Sequence, residues 1–458
     1  MTIETVPGTD LKYYLIAFDS DGRERRDDED GLMSGLVFDA LDREPFTDIF
    51  LLAHGWKGDV PAARAQYGDW IGAMARCEED IRRLRESRPD FHPLLIGLHW
   101  PSLPWGDEKL SSGGGSFAPE AAKPVEALVE DYAARLADTG EARAAMRTIF
   151  ESARINMSPF ELPQEVKRAY EILNREAGLG GEGVGGAPGS DRMAFDPEEA
   201  YEAAMLEEEI SFGRSGLGGI LSPLRQMSFW KMKDRARAFG ETGGHEFLRQ
   251  LQERTSPPRR VRIHLMGHSF GCIVVSSMIA GPEGRGHLPR QIDSVALVQG
   301  ALSMWSYCPS IPFDEQGRPG YFNSIISERK VRGPIITTQS KLDTAVGRFY
   351  PLGAGARGDI DFGLGYPKFG GVGTFGARGL ESEAKDMKML DSQGEYRFEP
   401  GKIYNLESSE YISQGGGASG AHSDIARPEV AHAVWEAARA ADQTPFPIRK
   451  EDVEHDSD

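Results

Sequence analysis

The stretch VRIHLMGHSFGCIVVSSMIA, residues 261–280, constrains the fold more than any other part of the chain. It sets Gly267-His268-Ser269-Phe270-Gly271, a G-x-S-x-G pattern, between an apolar run of strand character and a run of small residues compatible with a helix. A serine on so tight a strand-to-helix turn is held in a strained conformation, with its hydroxyl projecting from the sheet. Glycine on either side keeps side chains from colliding where strand and helix nearly touch. The helix that follows aims its amino-terminal N–H groups at the serine, where negative charge on a reacting oxygen would be stabilised. The pattern suggests a nucleophile; an ordinary turn serine is the plain alternative.

Upstream segments supply a sheet for that turn. Residues 11–18, LKYYLIAF, read as a first strand, and the acidic run 27–30 as a solvated turn. Residues 47–53, TDIFLLA, form an almost unbroken apolar run, as a strand buried on both faces requires. That run ends at His54-Gly55-Trp56. Between 60 and 88, Ala63, Tyr67, Trp70, Ile71, Met74, Ile81 and Leu84 fall at amphipathic-helix spacing. Residues 93–100, PLLIGLHW, read as the next strand. Strands interleaved with helical sequence predict an α/β fold with βαβ units.

After Trp105 the pattern breaks. Residues 111–116, SSGGGS, read as a linker, 118–178 as Ala/Glu/Arg-rich helix, and 196–209 as a further helical piece. The expected organisation is 1–107 as the first part of the core, 108–228 as a helical insertion and candidate cap, and 229–458 as the second part of the core. Residues 231–252 resume as an amphipathic helix. Strands are expected at 293–298, 331–339 and, last, 396–406, with a long Gly-rich loop at 353–379. Within 216–232, Leu217, Ile220, Leu221, Leu224, Met227, Phe229 and Trp230 form the most apolar part of the insertion. That stripe reads either as a lid or as packing onto the sheet.

GHSFG, set between Ile263-His264-Leu265-Met266 and Cys272-Ile273-Val274-Val275, resembles the nucleophile elbow of the α/β-hydrolase superfamily, most closely bacterial serine esterases and lipase-like proteins. The similar segments cover roughly residues 11–105 and 230–435; the chain between them matches no pattern of the family. The resemblance implies a mostly parallel sheet with helices on both faces, here with the insertion between the fourth and fifth strands. It also implies hydrolysis of an ester, thioester or amide through a Ser-Asp/Glu-His triad. In such a fold the acid follows the strand two beyond the elbow, and the histidine follows the last strand.

Asp343, after IITTQSKL, meets the first condition; Asp314, Asp359 and Asp361 are runners-up, and a helix N-cap is the structural alternative for Asp343. His422, in Gly420-Ala421-His422-Ser423-Asp424 after a glycine run, meets the second. His432 falls inside the helical run EVAHAVWEAARA and His455 in the acidic tail. The expected triad is Ser269, Asp343 and His422. The resemblance assigns the oxyanion donors to the backbone N–H groups of Phe270 and Trp56, the latter in an HGX turn. His54 and His268 are then structural. Trp305 and Tyr307, beyond the carboxyl end of a strand, are expected pocket walls.

The remaining composition narrows the class. With 71 acidic and 52 basic residues, the formal charge of −19 repels nucleic acid and anionic bilayers on average. Cys77, Cys272 and Cys308 have neither disulfide-framework nor zinc spacing, which fits a reducing cytosol. The polar start MTIETVPGTD is no signal peptide, and no apolar run approaches the ~18 residues of a membrane span. A cytoplasmic enzyme is expected, with signal-less export left open. No HExxH, P-loop or dinucleotide fingerprint is present, so no metal or cofactor is expected. The leading expectation is a serine-dependent carboxylic-ester hydrolase acting on a small-molecule or lipid ester. The alternative is a catalytically silent scaffold that binds a protein partner through its insertion.

Overall fold

The computed structural model describes residues 3–26, 31–56, 60–102, 124–179, 183–202, 219–256, 260–349, 365–416 and 419–443. The strands are β1 (Glu4–Thr5), β2 (Lys12–Ala17), β3 (Asp48–Ala53), β4 (Pro93–His99), β5 (Arg262–His268), β6 (Ser294–Val298), β7 (Ile335–Gln339), β8 (Ala384–Lys388) and β9 (Ile403–Glu407). They form one nine-stranded sheet in the order β1-β2-β4-β3-β5-β6-β7-β9-β8. β1 is antiparallel to β2, and the other neighbouring pairs are parallel. The protein is an α/β protein with a mostly parallel sheet.

Burial on both faces explains why the central strands read as continuous apolar runs. In β3, Ile49, Leu51 and Ala53 join a core that includes Val37 of α1 (Met33–Arg43). Phe50 and Leu52 point the other way, toward Tyr67 of α2 (Val60–Arg76) and Leu84 of α3 (Glu78–Ser87). This is the period-two alternation of a strand with a core on each side.

Two expected strands start late. The run at 331–339 becomes a continuous strand only from Ile335, after Gly333-Pro334, where proline lacks the N–H that a ladder needs. The run at 396–406 is strand only from Ile403, because Pro400 and Gly401, the latter at φ +68°, turn the chain first. Tyr396 and Phe398 stack at 4.7 Å between ring centroids instead. β8, with the sequence AKDMK, is an edge strand whose charged residues carry no apolar pattern to announce it.

Between β4 and β5 lie α4 (Val125–Ala133), α5 (Gly140–Ile155) and α6 (Gln164–Glu176). On α5, Ala142, Ala145, Met146, Ile149, Phe150 and Ala153 form one buried face, and Thr139 caps the helix by accepting from Ala142 N at 3.1 Å. The faces of α4, α5 and α6 make a core of their own. Of the helical piece expected at 196–209, residues 197–202 are helical. The rest of it, the 111–116 linker, the 27–30 turn and the 353–364 part of the Gly-rich loop lie outside the described residues.

The division at 228/229 falls inside a helix, α7 (Ser222–Phe239). Leu224, Met227 and Trp230 of α7 belong to the insertion core, whereas Met232, Ala236 and Phe239 belong to the sheet core. The apolar stripe within 219–232 therefore packs the insertion onto the sheet; residues 216–218 lie outside the described part. α7 continues through a π-helical turn, Gly240–Gly244, into α8 (His245–Arg254). Gly240 and Gly244 let that turn approach Ser277 and Met278 of α9 (Gly271–Ala280), the helix after the elbow. Among the described residues no helix is long and apolar enough to cross a membrane.

Candidate active site

β3 and β5 are neighbours in the sheet, paired up to Ala53↔Gly267, so the two segments that follow them meet at one rim. At the end of β5 the chain reverses into α9 through Ser269, whose φ is +55°. A non-glycine residue there costs about 1–3 kcal/mol of backbone strain. Bonds on both sides hold the turn: Ser269 N donates to Val298 O (3.1 Å), and Ser269 O accepts from Cys272 N (3.1 Å) and Ala301 N (3.2 Å). A Cβ on Gly267 would sit 2.4 Å from Gly271 O, and one on Gly271 only 2.1 Å from Ala53 O. Both glycines of the pentapeptide are therefore required by close approach of backbone to backbone.

Ser269 Oγ lies 2.8 Å from His422 Nε2, and His422 Nδ1 lies 2.8 Å from Asp343 Oδ2. Asp343 follows β7 and is fully buried; His422 follows β9 and keeps 13% of its side chain exposed. The two loops are stitched together by a bridge between Asp343 and Gly420 and by Ala421 N donating to Leu342 O at 2.9 Å. Gly420, at φ +56°, permits this, since a Cβ there would meet Leu342 O at 2.4 Å.

Asp343 is bonded beyond the imidazole. Its Oδ1 accepts from Val346 N at 2.9 Å, so the expected N-cap role and the contact with His422 coexist in one carboxylate. Its Oδ2 also accepts from Gln299 Nε2 at 2.9 Å. Gln299, at φ +47°, is fixed in turn by Thr338, whose hydroxyl accepts from Gln299 N and donates to Gln299 Oε1, both at 2.9 Å. Sequence reasoning missed Gln299. The available signal was topological: it directly follows β6, the strand between the elbow strand and the acid strand.

On the other side of Ser269, a Cβ on Gly55 would lie 2.8 Å from Ser269 Cβ. The Gly55 carbonyl accepts from His54 Nδ1 at 2.6 Å and from the Ser102 hydroxyl at 3.4 Å. His54 is fully buried, its Nε2 3.1 Å from His99 Nδ1, and its backbone N donates to the Tyr67 hydroxyl at 2.9 Å. The close approach on this side is that of Gly55 to Ser269. Trp56 follows Gly55, and Phe270 links Ser269 to α9. Their rings stack at 5.7 Å, with Phe229 of α7 5.2 Å from Phe270.

The remaining expected residues fall elsewhere. Tyr307 is not a pocket wall: it is buried, and its hydroxyl shares a 2.6 Å hydrogen bond with Ser276 Oγ of α9. Burial pushes its phenol well above the ordinary tyrosine range. Trp305 is also packed into the interior, donating from Nε1 to Lys368 O at 3.0 Å and clustering with Met304, Cys308 and Ile311. Both brace the structure after β6. His432 is buried against Asp80, 2.9 Å from each carboxylate oxygen, and Asp314 is bound to Arg318. Asp359, Asp361 and His455 lie outside the described residues. The Cys272 thiol points at Gly267 O, and burial raises it well above the usual thiol range. It is no competing nucleophile, because the reactive form is the thiolate.

Among the described residues no group of three or more His, Cys, Asp or Glu side chains is arranged to hold a metal ion. Compared with protein-family models, with curated proteins and with solved structures, the chain gives no match.

Proposed function

We propose that this protein is a serine hydrolase of the α/β-hydrolase fold that cleaves a carboxylic ester through an acyl-enzyme. The observation that carries the reading is the unbroken chain Ser269 Oγ–His422 Nε2, His422 Nδ1–Asp343 Oδ2, both links at 2.8 Å, on a serine at φ +55°. A serine hydroxyl is a weak nucleophile until a positioned base takes its proton. In this reading His422 Nε2 accepts the Ser269 proton as Oγ attacks the ester carbonyl. Asp343 keeps the ring's remaining proton on Nδ1 and stabilises the imidazolium. The oxyanion meets the Phe270 and Trp56 N–H groups and the positive end of α9. The intermediate collapses with loss of the alcohol, which takes the proton from His422. Water then repeats the cycle: His422 removes its proton, the hydroxide attacks the acyl carbon, and Ser269 leaves reprotonated with release of the acid.

Trp56 and Phe229, partly exposed and packed against Phe270, offer an apolar wall for the acyl group. Short- and medium-chain p-nitrophenyl esters are therefore the first substrates to test. Wild type should turn them over, and Ser269→Ala should not. Equal activity in that variant, or none in folded wild type, rejects the reading.

A further inference from the structure

Resting on that hydrolase reading, we propose that His268 is a positioning residue that ties the base loop to the nucleophile's own strand, with Gln66 fixing the tautomer in which it does so. His268 Nε2 lies 2.9 Å from the main-chain carbonyl of His422. A carbonyl can only accept, so Nε2 carries the proton. In the neutral ring Nδ1 is then an acceptor, and what faces it is a donor, Gln66 Nε2 at 3.0 Å. That amide orientation leaves Gln66 Oε1 buried and without a hydrogen-bond partner among the described residues. The reversed amide would satisfy Nδ1 only in a cationic ring. Trp70, one turn along α2 from Gln66, sets its ring edge-on to His268 at 5.9 Å and 84°.

The need for such a tie lies in the base loop itself. Gly415, Gly416, Gly417 and Gly420 crowd the eight residues before His422, and glycine-rich backbone loses the most freedom when it is ordered. Other bonds hold the loop to itself and to the acid segment. Ser413 N and Gln414 N donate to Asp424 Oδ2, and Ala421 N donates to Leu342 O. The His268 bond instead links it to the last residue of β5, whose place is set by its pairing with Val298 of β6. The His268 ring also packs on the His422 ring at 4.8 Å between centroids. His422 is protonated and deprotonated twice per turnover, yet its carbonyl accepts throughout. The tie therefore holds Nε2 within reach of Ser269 without joining the proton traffic.

Three variants test this against fluorophosphonate labelling of Ser269 and steady-state ester hydrolysis. His268→Leu keeps bulk but loses the donor, and kcat and labelling rate should fall by about 10- to 100-fold with KM little changed. His268→Gln returns an N–H near the Nε2 position and should recover most of that loss. Gln66→Met leaves His268 in place but frees its tautomer, and should give an intermediate fall even if His268→Leu does not fold. Unchanged kcat in folded His268→Leu or in Gln66→Met overturns the proposal. So does a His268→Gln variant as impaired as His268→Leu with an equal drop in melting temperature, because that marks a packing role. Failure of wild type to label at all removes the hydrolase reading, whereas a labelled wild type with unaffected variants removes this inference alone.

Discussion

Replacing Gly55 with alanine adds a single methyl group where the chain after β3 passes beside Ser269. The new Cβ would lie 2.8 Å from Ser269 Cβ, 3.1 Å from His268 Nδ1 and 3.2 Å from His268 O. Non-bonded carbons rest at about 3.5–4.0 Å, so the serine or the chain beside it must give by about 1 Å. Gly55 does not occupy the left-handed region, so the effect is steric and not conformational. A misplacement of about 1 Å at a reacting atom costs about 100-fold in rate, or about 2.7 kcal/mol of activation free energy. Overpacking should cost about 1–3 kcal/mol of stability besides. The control is Gly35→Ala on α1, where an added Cβ meets nothing within 4 Å. Helix propensity makes that change stabilising by about 0.5–1 kcal/mol, with kcat unchanged. Both variants are assayed on a p-nitrophenyl ester well below their melting temperatures, with melting followed by circular dichroism. A Gly55→Ala enzyme with wild-type kcat would refute the claim that this segment abuts the reacting serine.

Asp343→Asn should keep the fold and lower kcat by about 10⁴-fold, because an amide can hold His422 in the wrong tautomer; kcat reduced less than about tenfold would contradict the acid's role. Tyr307→Phe should cost about 1 kcal/mol in urea unfolding and leave KM unchanged, since its hydroxyl bonds Ser276 and not substrate; an altered KM would return it to the pocket. The buried pair Lys233–Asp191, at 2.7 Å, joins α7 to the insertion, and burial pushes Lys233 from 10.5 down to about 8. Between those pH values the unfolded chain holds the proton more tightly, so the lysine's contribution to stability rises with pH by at most about 3 kcal/mol. Lys233→Met/Asp191→Asn should equal or exceed wild type in stability at pH 7, and that margin should shrink as pH rises from about 8 to 10. A margin independent of pH would refute it.

The parts of the site that the sequence exposes are those fixed by local backbone geometry or chain order. Gly267 and Gly271 are legible because each carries a steric demand that only glycine meets. Asp343 and His422 are legible because the order of strands places the segments after β7 and β9 beside the elbow. Gln299 and His268 are not, because their roles depend on which atom faces which across 44 and 154 residues of chain. β8 is hidden because an exposed edge strand needs no apolar pattern. Tyr307 misleads because its position after β6 suits a ligand wall as well as a brace, and only its bond to Ser276 separates the two. The apolar stripe of α7 misleads likewise: a lid and a core helix present the same spacing until their partners are known.

The central claim is that Ser269 is made nucleophilic by His422 and Asp343. The most direct test treats folded protein with a fluorophosphonate, then resolves the adduct by intact mass and peptide mapping. One adduct on Ser269 is expected, absent in Ser269→Ala and formed far more slowly in His422→Ala. No adduct, an adduct on another residue, or equal labelling in His422→Ala would contradict it.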